Sequence, residues 1–117
     1  MSIPILDEES IANLRALSPD DGDMFLREII GIFLEDTPVR IGELHASQAK
    51  GEVPAFSRAA HSVKGSSSNI GAMELRAVAE RLEHMAKQTG LAGVDPVIVE
   101  LESAFARAEV ELRKLLG

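Results

Sequence analysis

The heptapeptide His61-Ser62-Val63-Lys64-Gly65-Ser66-Ser67 puts an imidazole, an ammonium and a glycine within about one helical turn. Imidazole has an ordinary pKa of about 6.5, so at pH 7 most of it is the neutral nucleophile. It can attack phosphorus without an activating base. A phosphorylated ring carries close to two negative charges, and an ammonium three residues along a helix can screen part of them. Gly65 is the odd choice, because glycine in a helix costs about 1 kcal/mol relative to alanine. Residues four apart on a helix are neighbours. A side chain at 65 would crowd one flank of the ring at 61, and glycine leaves that flank open. Ser57 and Ala60 are small as well. Exposure, a nearby cation and a cleared flank together suit covalent acceptance of an anionic group.

Each of these residues also has an ordinary explanation. His61 could be a surface histidine, Lys64 a solvated lysine and Gly65 a packing glycine. Ser66, Ser67 and Ser68 are better read as small spacers than as nucleophiles, since the G-x-S-x-G turn of a serine hydrolase is absent. No two histidines stand at i,i+4 and no H-E-x-x-H occurs, so a metal site is not expected. His84 falls opposite the apolar stripe of its segment and reads as solvated, and His45 has no evident partner. The four Met are expected to fill core gaps. A glycine-rich nucleotide loop of the P-loop or kinase type is missing, which argues against use of ATP.

The elements that position the heptapeptide read as helices throughout. No window shows the sustained alternation of a strand. For the helix from Pro54 to Asn69, Ala60, Val63, Ser67 and Ile70 fall within about 40° of Phe56 on a helical wheel. His61 lies about 140° away, Lys64 about 80° and Gly65 about 180°. The imidazole is thus expected on the outer face, with Gly71 as a left-handed stop for the helix. Upstream, DEESIANLRAL at 7–17 predicts a short helix with an acidic start, and SPDDGD at 18–23 a turn rich in N-caps. Residues 24–49 carry Leu26, Ile29, Ile30, Phe33, Ile41 and Leu44 on one stripe. Phe25, Ile32 and Leu34 lie off it, which predicts packing on two sides, and Pro38 should kink or split the helix. Downstream, MELRAVAERLEHMAKQ buries Leu75, Val78, Ala79, Leu82 and Ala86, and ends at Gly90. Asp95-Pro96 reads as an N-cap and first-turn pair for a last helix bearing Val97, Ile98, Leu101, Phe105, Ala108, Leu112 and Leu115 on one side. The fold class is all-α: an antiparallel up-down four-helix bundle with a short extra N-terminal helix.

Composition narrows the partners. The chain has 117 residues, 45% of them apolar, which suits one domain over 1–117 with a bundle core at about 20–116. Absence of Cys excludes disulfides and thiolate metal sites. A net charge of −7 and the lack of Trp and Tyr argue against nucleic acid and anionic membrane. No run is long and apolar enough for a membrane span, and the N-terminus lacks a basic region and cleavage signal, so a cytoplasmic protein is expected. One segment is positive: residues 53–81 carry Arg58, Lys64, Arg76 and Arg81 against Glu74 and Glu80.

HSVKGSS at 61–67 followed by NIGA at 69–72 resembles the signature of histidine phosphotransfer (HPt) domains. The resemblance extends over about residues 20–115, including the proline of the second helix and the downstream LRAVAERLE. It implies that His61 is the phosphoacceptor, exchanging a phosphoryl group through one ring nitrogen (Nε2 in the family) with aspartates of response-regulator receiver domains. It further implies that Lys64 steadies the phosphoryl charge, that Gly65 gives access, and that Ser66 and Ser67 keep the helix thin. Partners would be receiver domains and/or a hybrid sensor histidine kinase, with Mg²⁺ on the receiver and no cofactor on this chain. Such a protein is a monomeric carrier without kinase activity of its own. The alternative is a bundle of the same fold that docks on a receiver or sensor kinase and never carries phosphate. A phosphoesterase with a histidine nucleophile is weaker, because no general acid or anion cradle is evident.

Overall fold

The computed structural model describes residues 3–17 and 20–117. Five helices follow in order: α1 Glu8–Ala16, α2 Met24–Lys50, α3 Val53–Ile70, α4 Met73–Thr89 and α5 Asp95–Leu116. Among the described residues there is no strand. Helix α3 packs most extensively against α4 and α2, and α5 closes the bundle against α4 and α2. The fold is therefore all-α, an antiparallel bundle of α2–α5 with α1 laid against α2 and α3.

The core follows from the stripes. Leu44 of α2, Phe56 and Val63 of α3, Leu75 and Leu82 of α4 and Leu101 of α5 are all fully buried. Phe33 and Phe105 meet in a tilted pair with centroids 5.8 Å apart. Fully burying a side chain of this kind contributes roughly 1.5–3 kcal/mol, so these layers, rather than intrinsic propensity, hold the helices.

The structure differs from the sequence reading in several places. Helix α2 is not split: it runs through Pro38, which is exposed. Water can therefore satisfy the carbonyl one turn earlier that the missing amide leaves free. Its off-stripe residues do not all find a second layer, for Ile32 is 56% exposed while Leu34 packs at the core margin. Asp95 is not the cap of α5. Val94 takes that position, and the Asp95 carboxylate accepts a hydrogen bond from Gln48 Nε2 at 2.6 Å, tying the end of α2 to the start of α5. Met85 packs against the core, but Met24 is 63% exposed, and Met1 lies outside the described residues. In the turn at 18–23, Ser18 and Pro19 likewise lie outside them; Asp21 Oδ1 accepts from the Met24 amide at 3.2 Å.

Helix α1 fixes the far end of α3. Its N-cap Asp7 accepts hydrogen bonds from the Ser10 amide and hydroxyl. The Asp7 amide in turn donates to the Gly71 carbonyl at 2.8 Å, and the Glu74 amide to the Pro4 carbonyl at 3.1 Å. Gly71 ends α3 with φ of 80°, and a Cβ there would lie 2.7 Å from the Ser10 Cβ. Glycine is required at this point by both conformation and space.

Candidate functional site

The core stripe of α3 is the expected one: Phe56, Ala60, Val63, Ser67 and Ile70 are all buried. Burying that face turns residue 61 outward, and the His61 side chain is 65% exposed. Lys64 lies at the margin between α3 and α4 with its side chain 25% exposed. Gly65 is exposed, and a Cβ built on it would meet nothing within 4 Å. No internal contact needs a glycine there, so what its missing side chain spares is space outside the bundle. Ser66 donates back to the carbonyl of Ser62 at 3.1 Å, and Ser67 is buried. Ser66 is small at the half-buried margin of α3, whereas Ser67 faces the core.

Across from α3, Glu83 of α4 organises the group. Its side chain is largely buried, at 9% exposure. One oxygen, Oε1, lies 3.0 Å from Lys64 Nζ. The other, Oε2, lies 2.9 Å from His61 Nδ1 and 3.1 Å from Lys87 Nζ. Burial alone would raise its pKa, but hydrogen bonds from Lys64, Lys87 and His61 outweigh burial and lower it to about 2. An ionised carboxylate only accepts hydrogen bonds. The contact with His61 therefore places the ring proton on Nδ1 and leaves the lone pair on Nε2, the nitrogen away from Glu83.

Sequence reasoning missed this residue. The signal was available: on α4 Glu83 stands about 80° from Leu75, the same offset from the core stripe that Lys64 has on α3. Two opposite charges at facing core margins are positioned to pair. Lys87 follows Glu83 by one turn, and His84 borders the same polar groove as His61, Lys64, Glu80, Glu83 and Lys87. A second, more apolar groove runs from His61 past Ser57, Arg58, Pro54 and Val53. His45 is not solitary, since its Nε2 lies 3.4 Å from Glu102 Oε2.

An imidazole on the outer wall of a helical bundle, its distal nitrogen free and its proximal one held by a buried anion, has the chemistry to accept an electrophilic group. The sequence profile of the Hpt domain family matches residues 28–116. The chain belongs to the Hpt domain family, whose members carry phosphoryl groups on histidine in phosphorelays. It is similar to the crystal structure of histidine-containing phosphotransfer protein B from Pseudomonas aeruginosa PAO1, at 30% identity and TM-score 0.86, over 97% of this chain and 95% of that one. Maize histidine-containing phosphotransfer protein ZmHP2 shares the fold at 21% identity and TM-score 0.85, over 96% of this chain and 83% of that one. So does the HPT domain of a sensor hybrid histidine kinase from Shewanella, at 16% identity and TM-score 0.71, over 94% and 96%. No match was found among curated proteins.

Proposed function

We propose that His61 is the phosphoacceptor of this chain and exchanges its phosphoryl group with the aspartate of a receiver domain. The observation that carries the reading is the 2.9 Å contact between His61 Nδ1 and Glu83, which leaves Nε2 of an exposed ring as the nucleophile. In the forward step the Nε2 lone pair forms a bond to phosphorus while the P–O bond to the partner's aspartate breaks. The aspartate leaves as a carboxylate. The ring keeps its Nδ1 proton, becomes cationic, and faces the Glu83 anion, which stabilises that charge as it develops. Return transfer reverses each of these changes.

Lys64 supplies positive charge to the phosphoryl oxygens. Because its ammonium rests on Glu83, it has to share that partner with the incoming group. Gly65 admits the partner's surface. Mg²⁺, in this reading, is contributed with its ligands by the receiver, and ATP is not used. The five helices work as one domain over residues 1–117, as a monomer in the cytoplasm, with receiver domains and/or a hybrid sensor histidine kinase as partners. Among the described residues no helix is long and apolar enough to cross a membrane.

The experiment is to mix the protein with a phosphorylated receiver or hybrid kinase. The expected product is an acid-labile, base-stable phosphate on this chain that is lost in His61→Gln. Label that persists in the variant moves the acceptor elsewhere. A chain that binds receivers yet never takes label is the docking module, not a carrier.

A further inference from the structure

We infer that His84 is a second, proton-dependent contact for the phosphoryl group on His61. This rests on His61 being the acceptor. Glu80, Glu83, His84 and Lys87 recur at i, i+3, i+4 and i+7 on α4, which places them on one face. That face and His61 and Lys64 of α3 enclose a polar groove of about 270 Å³. Because His61 itself lines this groove, a phosphoryl group on its ring stands at the groove's edge, in the field of the groups that line it. Two of its cations are already engaged, since Lys64 and Lys87 both rest on Glu83, at 3.0 and 3.1 Å. Glu80 is approached by Arg76 at 3.5 Å. Among the described residues His84 has no side-chain hydrogen bond or ion pair, and it is exposed. It is the groove's uncommitted donor.

The charged and titratable groups facing His84 are Glu80, Glu83 and Lys87 on its own helix and His61 and Lys64 across the groove. Glu83 is held as an anion through the neutral range by its hydrogen bonds from Lys64, Lys87 and His61. The change that phosphorylation brings is therefore the arrival of close to two negative charges. An imidazole that gains a neighbouring anion holds its proton more tightly. Phosphorylation of His61 and protonation of His84 are linked, each favouring the other.

The test follows the ring resonances of the histidines by NMR through a pH titration, before and after phosphorylation of the intact protein with phosphoramidate. In that reaction Nε2 bonds to phosphorus as the P–N bond of the donor breaks and ammonia leaves. The expected result is a rise of about half to one pH unit in the His84 midpoint. His45, paired with Glu102 between α2 and α5, is the reference and stays put. Reciprocally, the phosphorus-31 signal of phospho-His61 should titrate at higher pH in His84→Gln than in the wild type. A fully phosphorylated protein whose His84 midpoint stays within about 0.2 units overturns this inference alone. An equal movement of His45 does so too. Failure of any donor to label His61 overturns both this inference and the acceptor assignment.

Discussion

At Glu83 three donors decide the state of a group that burial would neutralise. The carboxylate is lowered to about 2, where an ordinary glutamate stands near 4.5. It therefore binds its proton less readily folded than unfolded, and folding gains from its ionised form. That gain is complete above about pH 4.5 and is lost as pH falls toward 2; a displacement of this size corresponds to at most about 3 kcal/mol. Glu83→Gln should accordingly unfold more easily than the wild type at pH 7, by about 1–3 kcal/mol in urea titrations, with the two curves converging toward pH 2. A gap that stays constant with pH would mean that packing, not charge, is what Glu83 supplies. Gly65 separates two roles in the same way. Its backbone is ordinary helix and its surroundings are empty, so Gly65→Ala should raise stability by about 1 kcal/mol. Gly65→Leu should slow transfer from a receiver by about tenfold or more, while labelling by phosphoramidate, which needs no docked protein, stays near the wild-type rate. Equal slowing with both donors would place the obstruction at the ring itself.

At the scale of the elements, the helices were legible because each main stripe is long and regular. The outward direction of His61 followed from the stripe of α3 alone. What the stripes did not spell out were particular contacts between them: the Glu83 contact with His61, Gln48 reaching Asp95, and His45 meeting Glu102. Periodicity places a residue on a face but not opposite a particular residue of another helix. Pro38 did not split the helix for a related reason, since its cost depends on whether the freed carbonyl can reach water. Gly71 was correctly read as a stop, yet its second duty is tertiary: it lets α1 approach the end of α3. Gly71→Ala then brings a left-handed alanine, at about 1–2 kcal/mol, together with a clash at Ser10. The expected outcome is a loss of at least that much stability, with hydrogen-exchange protection falling first in α1. Uniform loss across all helices would show α1 to be an integral part of the core rather than a latch on α3.

Over the whole molecule, a chain of net charge −7 has to meet a partner that brings a phosphoryl group of the same sign. The positive balance of residues 53–81 does not by itself resolve this, because much of it is spent internally. Arg76 faces Glu80, Arg81 faces Glu100 on α5, and Lys64 rests on Glu83. Arg58 is different: among the described residues it has no ion-pair partner, and it stands one turn before His61 on the rim of the apolar groove. Its field extends into the approach path of a phosphorylated partner, within the screening length of about 8 Å at physiological salt. Steering of this kind acts on encounter and leaves the chemical step alone. Arg58→Ser should therefore lower kcat/KM for transfer from a phosphorylated receiver by about threefold to tenfold at low salt, through KM. The difference should shrink as ionic strength rises toward about 1 M, where screening cuts in at roughly 3 Å. Stability should stay within about 0.5 kcal/mol of the wild type, as for an exposed residue without partners. A fall in the rate at saturating receiver, unchanged by salt, would instead put Arg58 in contact with the transferring group.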